Sequence, residues 1–393
     1  MFKISACTIV KNEADNMHRW IESVKNFADE IIVVDTGSID DTANIAATGG
    51  AQVYDFPWGD DFSAAKNFAL DKANGDWVVF LDGDEFFTES SSRILRMEIE
   101  ARQMHMMIIG FMVACDNIDE DNNDAVISQD WRLRIFRRDK HLRYHGRIHE
   151  GLQDSSPQKQ SRHFAVMRNL RLKHTGYSSQ RLPDKLQRNL KILRQDIAEN
   201  GGEQPWHYVY LQDCYAGLGN YEKAIHYGRL ALKYRHDTGL LVIENSLVCR
   251  LLNSIRLSGI GDYGYELIKA VTEFPCLPEV QFFYGQYLLS LLKGIEARQA
   301  LQTALQLYAR PVTKAEQLYN LTFGDMPQVA SHYLEIIAKY ELYFMAMYNG
   351  NYQQAARLAG DYLRSAYDNY PTEAMKPEYL FCTASKHDID GED

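Results

Sequence analysis

Three acidic side chains directly follow an apolar segment of the chain. Residues 77–81 read Trp-Val-Val-Phe-Leu, and Asp82, Asp84 and Glu85 come next. The segment predicts a strand buried on both faces, and open α/β sheets bind ligands at the carboxyl ends of such strands. Asp82 and Asp84 share a face of the extended chain, and their charges repel unless a cation lies between them. Mg²⁺ or Mn²⁺ would suit this pair and leave positions for phosphate oxygens; a solvated turn bent at Gly83 is the alternative.

The residues around this pair alternate between strand and helix patterns. Strands separated by single helices imply a mostly parallel sheet, whose right-handed crossovers place the carboxyl ends along one edge. Asp35 ends the second strand, so we expect it near Asp82. Strand-like pieces at 131–136 and 170–174 are predicted to be antiparallel additions to the same domain. The predicted strands are 4–10, 30–34, 52–56 and 77–81, and the predicted helices are 14–27, 42–48 and 63–73.

After about residue 182 the pattern is helical almost throughout. Residues 220–224 (Asn-Tyr-Glu-Lys-Ala) recur as 351–355 (Asn-Tyr-Gln-Gln-Ala), and a related set lies between 284 and 304. Small residues at such positions let helices pack closely, which predicts tetratricopeptide-like pairs; a plain helical bundle is the alternative. We therefore expect a domain at 1–180, a helical domain at 181–385 and an acidic tail at 386–393.

Composition excludes several classes of function. The formal net charge of −11 over 393 residues argues against a nucleic-acid binder or a protein of anionic membranes. The six cysteines are scattered, which indicates reduced thiols rather than a disulfide framework or a zinc site. The sequence contains no signal-peptide layout and no apolar run of roughly 20 residues, so we expect a cytoplasmic protein.

Six segments in consistent order resemble the motifs of family-2 glycosyltransferases. The resemblance covers about residues 1–180 and implies an α/β GT-A fold, Rossmann-like with a mostly parallel sheet. A helical repeat region behind it resembles the subgroup that includes the S-glycosyltransferases of sublancin-type glycocins, and lipopolysaccharide-core glucosyltransferases share the first half. The segments are 10–13 (Val-Lys-Asn-Glu), 34–42, 58–70, 80–85, 134–137 and 145–150 (His-Gly-Arg-Ile-His-Glu).

The resemblance implies a nucleotide-sugar donor, a UDP-sugar, and a metal ion. It places Mn²⁺ or Mg²⁺ on Asp84, gives Asp82 a contact with the metal or the ribose, and lets His149 complete the site. A nitrogen ligand beside carboxylates favours Mn²⁺ over Mg²⁺. The alternative for His149 is a structural histidine on a strand.

The turns after the first two strands are expected to hold the nucleoside. Asp35 and Ser38 would contact the donor, with Asp35 accepting hydrogen bonds from uracil or ribose. The same turn can cap the next helix, and both roles can hold. Asn12 and Glu13 would line the base pocket, although strand-to-helix turns also use these residue types for capping.

Basic side chains are expected near the diphosphate. Lys66 and Asn67 open a helix at that edge, and many relatives carry arginine where this chain has Lys66. Lysine supplies the charge without the bidentate fork of arginine. Arg132 and Arg134 share one face of a predicted strand, which holds phosphates or is solvated; Arg134 is the preferred phosphate ligand.

An inverting transfer, which the resemblance implies, needs a base to take the proton of the acceptor. Glu150, Glu85 and Asp130 are the candidates, followed by Asp116 and His145, and spacing does not choose among them. A thiol acceptor would need less help, since thiols ionise near pH 8–9.

Extended helical repeats suit a peptide or protein acceptor; a saccharide or a lipid-linked sugar is the alternative. The helical region could also form a homodimer through its aromatic residues at 333–348, although core packing explains their spacing. A non-catalytic scaffold with an inactive transferase domain is a second class of function, but its metal residues should be lost, and they are present. A dinucleotide-dependent oxidoreductase is rejected because residues 11–14 form no glycine-rich loop.

Overall fold

The protein folds into two compact units. The computed structural model describes residues 2–176, 182–237, 244–291, 293–309 and eight isolated positions, namely 334, 338, 349–351, 353, 354 and 357. Residues up to Asn220 group into the first unit and residues from Tyr221 into the second. The first unit therefore extends past residue 180, where the sequence placed the end of the catalytic domain.

Ten strands and eleven helices lie in the described residues. The strands are β1 (Ile4–Val10), β2 (Glu30–Asp35), β3 (Gln52–Asp55), β4 (Trp77–Phe80), β5 (Glu85–Phe87), β6 (Ile108–Asp119), β7 (Ala125–Arg137), β8 (Leu142–His145), β9 (Gly151–Asp154) and β10 (His163–His174). The helices are α1 (Ala14–Val24), α2 (Thr42–Thr48), α3 (Phe62–Lys72), α4 (Glu89–Glu100), α5 (Leu182–Glu199), α6 (Pro205–Gly217), α7 (Tyr221–Lys233), α8 (Glu244–Ser258), α9 (Tyr263–Glu273), α10 (Pro278–Ser290) and α11 (Gly294–Ala309).

Eight strands form one sheet in the order β3-β2-β1-β4-β7-β6-β10-β5, and β8 and β9 form a separate pair. β1, β2, β3 and β4 are mutually parallel neighbours, so their carboxyl ends lie along one edge, as the sequence predicts. β7 runs antiparallel to β4, with Ile135 opposite Val79. Residues of β7 that precede Ile135 therefore extend beyond the carboxyl end of β4. The α/β GT-A fold class with a following helical region is confirmed.

β4 is buried on both faces because helices cover both sides of the sheet. Trp77 and Val79 belong to the core cluster that includes α1 and α4. Val78 and Phe80 belong to the opposite cluster, which includes α3. Alternate side chains of a strand point to opposite faces, so this apolar segment anchors both layers and fixes where Asp82 begins.

The late strands differ in part from the prediction. β7 is antiparallel to β4 and β6, as expected. β10 is parallel to β6 and antiparallel only to β5, so the prediction of a purely antiparallel addition is wrong there. β7 ends beside the start of β6, and the connection that carries β8 and β9 leads from there to β10, which begins at the same end of β6.

The second unit is helical, and its described helices α7 to α11 pack as successive neighbours. Gly285 explains one close approach, because a side-chain carbon there would lie 2.7 Å from Leu301 Cγ. No helix in the described part of the chain has both the length and the apolar character to cross a membrane. Two residues of the repeat at 351–355, Tyr352 and Ala355, lie outside the described residues, as do the aromatic residues at 333–348 and the tail at 386–393.

Candidate active site

Seven charged side chains of alternating sign lie in a row at the carboxyl end of β4. Each one contacts the next through a hydrogen bond or an ion pair. The row combines the acids that follow β4 with cations from α3 and β7. In order, its members are Asp130, Arg132, Glu85, Arg134, Asp82, Lys66 and Glu150.

Glu85 is the centre of this row, and its side chain is 0% exposed. Arg132 Nη1 donates to Oε1 at 2.6 Å, and Arg134 donates through Nε to Oε2 and through Nη2 to Oε1, both at 2.7 Å. Burial opposes ionisation, but the guanidinium groups of Arg134 and Arg132 outweigh it and lower the pKa of Glu85. A buried carboxylate held by two arginines is poorly placed to take a proton from an acceptor, so these contacts do not support Glu85 as the base, and that role stays a prediction.

Asp82 has both carboxylate oxygens bound to cations. Lys66 Nζ lies 2.7 Å from Oδ1, and Arg134 Nη2 donates to Oδ2 at 2.8 Å. Lys66 is buried and also lies 2.6 Å from Glu150 Oε1. Burial of Asp82 opposes ionisation, but Lys66 and Arg134 dominate and lower its pKa. Lys66 and Arg134 therefore bind carboxylates rather than donor phosphates in this structure, because their charges offset those of the acids that follow β4.

Asp84 has a different set of partners. Its Oδ2 lies 3.3 Å from His174 Nε2 at the end of β10 and 3.9 Å from Lys185 Nζ on α5. Burial alone would raise the pKa of Asp84, yet His174 and Lys185 hold it well below the ordinary range. These contacts are longer than the 2.7 and 2.8 Å contacts of Asp82, so Asp84 is the less tightly bound carboxylate.

The imidazole of His174 is oriented by Asn117. His174 Nδ1 lies 2.7 Å from Asn117 Oδ1, and the same oxygen accepts a hydrogen bond from Arg132 Nη2 at 2.8 Å. A guanidinium only donates hydrogen bonds, so the Asn117 atom that faces Arg132 is the amide oxygen. His174 Nδ1 faces the same oxygen and must therefore carry the proton. Nε2 is thereby directed at Asp84. A metal-ligating histidine is commonly held in this way by a hydrogen bond to its other nitrogen.

The predicted metal set of Asp82, Asp84 and His149 is not assembled. Within the residues that the structure describes, no three His, Cys, Asp or Glu side chains are grouped to hold an ion. His149 has a left-handed backbone with φ of 53°, and its ring stacks on Tyr210 of α6 with centroids 3.5 Å apart. Asp82 is saturated by cations. The ligand roles of Asp82 and His149 therefore find no support in these contacts.

Gly176 lets the groups around Asp84 come close to the backbone. A side-chain carbon on Gly176 would collide with Asp84 Oδ2 and lie 2.7 Å from both His174 Nε2 and Lys185 Nζ. Asp84 Oδ2 and His174 Nε2 face each other at 3.3 Å, and the Lys185 ammonium lies 3.9 Å from the same carboxylate oxygen. Two protein ligands of this kind suit a hard divalent ion that fills its other positions with water and phosphate oxygens.

The turns after β1 and β2 are joined by hydrogen bonds. Asp35 Oδ1 accepts from the backbone N–H groups of Gly37 and Ser38 at 2.8 and 2.7 Å. The Asn12 backbone N–H donates to Ser38 Oγ, and Glu13 N donates to Thr42 Oγ1. These bonds hold the two turns together, but the N-cap residues of α1 and α2, Glu13 and Asp41, make no side-chain capping bond. The donor contacts of Asp35, Ser38, Asn12 and Glu13 stay predictions.

The remaining predicted residues divide between structural and accessible positions. Asn67 exchanges two hydrogen bonds with the backbone of Tyr144 on β8, which is a structural role. Asp130 binds Arg132 through both oxygens and accepts from Asn117. Glu150 contacts Lys66 through one oxygen only, so it keeps an oxygen for other chemistry.

Sequence reasoning missed three basic or imidazole side chains at this edge. His174 is the last residue of a strand, and Asp35 and Asp82 lie at or just after the ends of theirs. This position at the carboxyl end of a strand is the sequence feature that could have identified His174. Lys185 and Arg188 are three apart on α5, beyond the segment that carries the family motifs. Nothing in their spacing points to Asp84, because that approach depends on how α5 packs on the sheet.

The stability of this unit should decrease in acid. Asp82, Asp84 and Glu85 all have pKa values below their ordinary 3.8 to 4.5. Such carboxylates contribute their full stabilisation when the pH is above their ordinary pKa values. The contribution is lost as the pH falls toward the lower pKa values that they have in the folded state. We expect the urea midpoint to fall steadily between pH 5 and pH 2.5. A midpoint that is constant or rises over this range would contradict the ion-pair row.

Comparisons with known proteins find glycosyltransferases that are similar to the first part of this chain. The model of the family described as Glycosyl transferase family 2 matches residues 5–151. A TPR repeat-containing protein of Synechococcus elongatus is 33% identical over 186 residues, which are 46% of this chain and 44% of that protein. The SPbeta prophage-derived glycosyltransferase SunS of Bacillus subtilis is 27% identical over 300 residues, which are 73% and 67% of the two chains.

A solved structure of glucosyl-3-phosphoglycerate synthase from Mycobacterium tuberculosis, in complex with Mn²⁺, UDP and glucosyl-3-phosphoglycerate, is 25% identical. It covers 30% of this chain and 44% of that chain, with a TM-score of 0.25. The chain spans less than half of the Synechococcus relative and about two thirds of SunS. Residues 5–151 thus match the model described as Glycosyl transferase family 2, and in this chain a helical C-terminal region follows them.

Proposed function

We propose that the protein transfers a hexose from a UDP-sugar to a peptide or protein side chain, with a divalent cation held at Asp84. The observation that carries this proposal is the position of Asp84. It follows the buried strand β4 inside a domain that matches Glycosyl transferase family 2, and it faces His174 Nε2 at 3.3 Å. No other described carboxylate of the cluster combines loose contacts with a neighbouring imidazole.

Asp84 and His174 are the side chains that would hold Mn²⁺ or Mg²⁺. When bound, the ion stabilises negative charge on the departing diphosphate as a Lewis acid. Asn117 keeps His174 Nε2 directed at this position. Asp82 has another role in this proposal: it holds Lys66 and Arg134 in place, and these cations offset the charges of the acids at the end of β4.

Glu150 is the base that we propose for the acceptor proton. One oxygen is fixed by Lys66 at 2.6 Å, and the side chain is 12% exposed. Glu85 is disfavoured by burial, and Asp130 is held by Arg132 and Asn117. A carboxylate fixed through one oxygen presents the other in a defined direction, which general-base catalysis requires.

A polypeptide acceptor is supported by the helical region. Stacked helix pairs form extended surfaces, and such surfaces suit peptides and unfolded segments. Saccharide acceptors remain the second candidate.

The test of this proposal is release of UDP from UDP-glucose, UDP-galactose and UDP-N-acetylglucosamine, each with Mn²⁺, Mg²⁺ or EDTA. We expect slow release from one sugar in the absence of an acceptor, and no release in EDTA. Release that is equal in EDTA would refute the metal. If no UDP-sugar is hydrolysed and none binds, the non-catalytic scaffold would be the better description.

The acceptor is tested with the same donor carrying a ¹⁴C label. Lysate from a bacterial host is separated into acid-precipitable protein, lipid extract and soluble saccharide after incubation. We expect the label in the protein fraction, and protease treatment should release it. Label that stays in the lipid or saccharide fraction would overturn the polypeptide acceptor while leaving the donor assignment intact.

A further inference from the structure

Ion pairs attach helix α5 to the sheet domain at Lys185, Lys191 and Glu199, and the first two flank Arg188. Lys185 Nζ lies 3.9 Å from Asp84 Oδ2 and donates to the Gly176 carbonyl at 3.3 Å. Six residues later, Lys191 Nζ lies 2.8 Å from Asp60 Oδ2, in the loop that precedes α3. α5 therefore passes along the carboxyl edge of the sheet, from the end of β4 to the loop before α3.

Arg188 lies between the first two of these attachment points. Residues three apart on a helix are neighbours on its surface, so Arg188 lies beside both Lys185 and Lys191. Its guanidinium carbon is 5.1 Å from the centroid of the Phe62 ring at the start of α3. Its hydrogen bonds go to Asn189 Oδ1, at 3.4 and 3.2 Å. Within the described part of the chain, it forms no ion pair.

The other strong cations of the site are already bound to carboxylates. Lys66, Arg132 and Arg134 each contact two acids of the row. A diphosphate that enters this edge needs a positive charge that the row does not supply. Arg188 belongs to the exposed residues of α5, so a ligand can reach it.

Arg188 lies close enough to the acids of the site to interact with their charges. Partial desolvation lowers its pKa, and the nearby carboxylates Asp84, Glu13, Glu150 and Asp82 act in the opposite direction. These acids hold a guanidinium near them without binding it directly. A planar guanidinium binds two phosphate oxygens at once, and an aromatic face such as that of Phe62 keeps it oriented.

We propose that Arg188 binds the diphosphate of the donor, so that α5, which lies outside the family match at residues 5–151, supplies part of the nucleotide-sugar site. The inference rests on the proposed function only in requiring a nucleoside diphosphate as the donor's leaving group. It assigns phosphate binding to Arg188 instead of Lys66 and Arg134.

The test compares the binding of UDP and of uridine by calorimetry, in Mg²⁺ buffer, for the full chain and three variants. Arg188→Gln should raise the dissociation constant of UDP about 10- to 100-fold, since a charged hydrogen bond is lost, and leave that of uridine unchanged. Arg188→Lys should recover part of the loss. Arg194→Gln is the matched control on the same helix, because Arg194 binds Tyr215 Oη rather than the site, and it should bind UDP normally.

The possible outcomes separate the two proposals. If the wild type binds UDP and Arg188→Gln binds it equally well, or loses UDP and uridine binding alike, the role of Arg188 is overturned. Equal losses in Arg188→Gln and Arg194→Gln would also overturn it, since they would indicate a general effect on α5. If the wild type binds neither UDP nor GDP, dTDP or ADP, the proposed donor class fails, and the role of Arg188 fails with it. Thermal unfolding of each variant shows whether it is folded.

Discussion

Replacing Asp84 with asparagine should reduce sugar transfer by at least about 1,000-fold. The ion that we place at Asp84 supplies several kcal/mol of charge stabilisation, and each 1.36 kcal/mol is a factor of ten in rate. Asparagine keeps the size of the side chain but removes the charge that binds the ion. The measurement is kcat with saturating UDP-sugar, together with the affinity for Mn²⁺ from its EPR signal.

The matched control for this variant is Asp71→Asn. Asp71 forms an exposed ion pair with Arg143, and such pairs contribute little to stability. We expect that variant to keep wild-type activity and Mn²⁺ affinity. Wild-type turnover in Asp84→Asn would refute the metal assignment. Lost turnover with unchanged Mn²⁺ affinity would indicate that other residues bind the ion.

Replacing Glu85 with glutamine should destabilise the first unit by about 3–5 kcal/mol, the usual cost of breaking a buried ion pair from one side. The substitution leaves Arg132 and Arg134 with one fewer negative charge in a site where Glu85 itself is fully buried. Urea unfolding followed by tryptophan fluorescence measures this, because Trp20 and Trp77 lie in the core of this unit. The variant should lose activity because part of it is unfolded and because Arg134 has lost a partner, and these two effects should account for the whole loss.

Glu150→Gln separates stability from catalysis. The amide oxygen can still accept from Lys66, so we expect a small change in the urea midpoint and a large loss of kcat. The opposite pattern, with a stable and inactive Glu85→Gln and an active Glu150→Gln, would restore Glu85 as the base. That result would require a rearrangement of the buried row, which the present contacts do not provide.

The part of the site that could be predicted is the part that local sequence determines. The apolar segment before Asp82 predicts a buried strand, and the order of strands and helices predicts which edge its carboxyl end joins. Asp35 and Asp84 therefore lie near the expected edge.

The partners of each acid could not be predicted, because they come from distant segments. Arg134 reaches Asp82 through the register of β7 against β4, and β10 brings His174 to Asp84 from the far side of the sheet. The motif Gly146 to Glu150 singles out His149, but a stack on Tyr210 of α6 involves a residue 61 positions later in the chain. Sequence spacing carries no information about such approaches.

The attachment of α5 has a consequence for how this chain can exchange parts with other proteins. A recombination junction at residue 180 would leave Asp84 without Lys185, Asp60 without Lys191 and His149 without Tyr210. A junction after α6 would preserve all three contacts. We therefore expect chimeras with new C-terminal helices to keep a working donor site only when α5 and α6 are transferred together with the sheet. On this expectation, the unit that can be exchanged ends near residue 220.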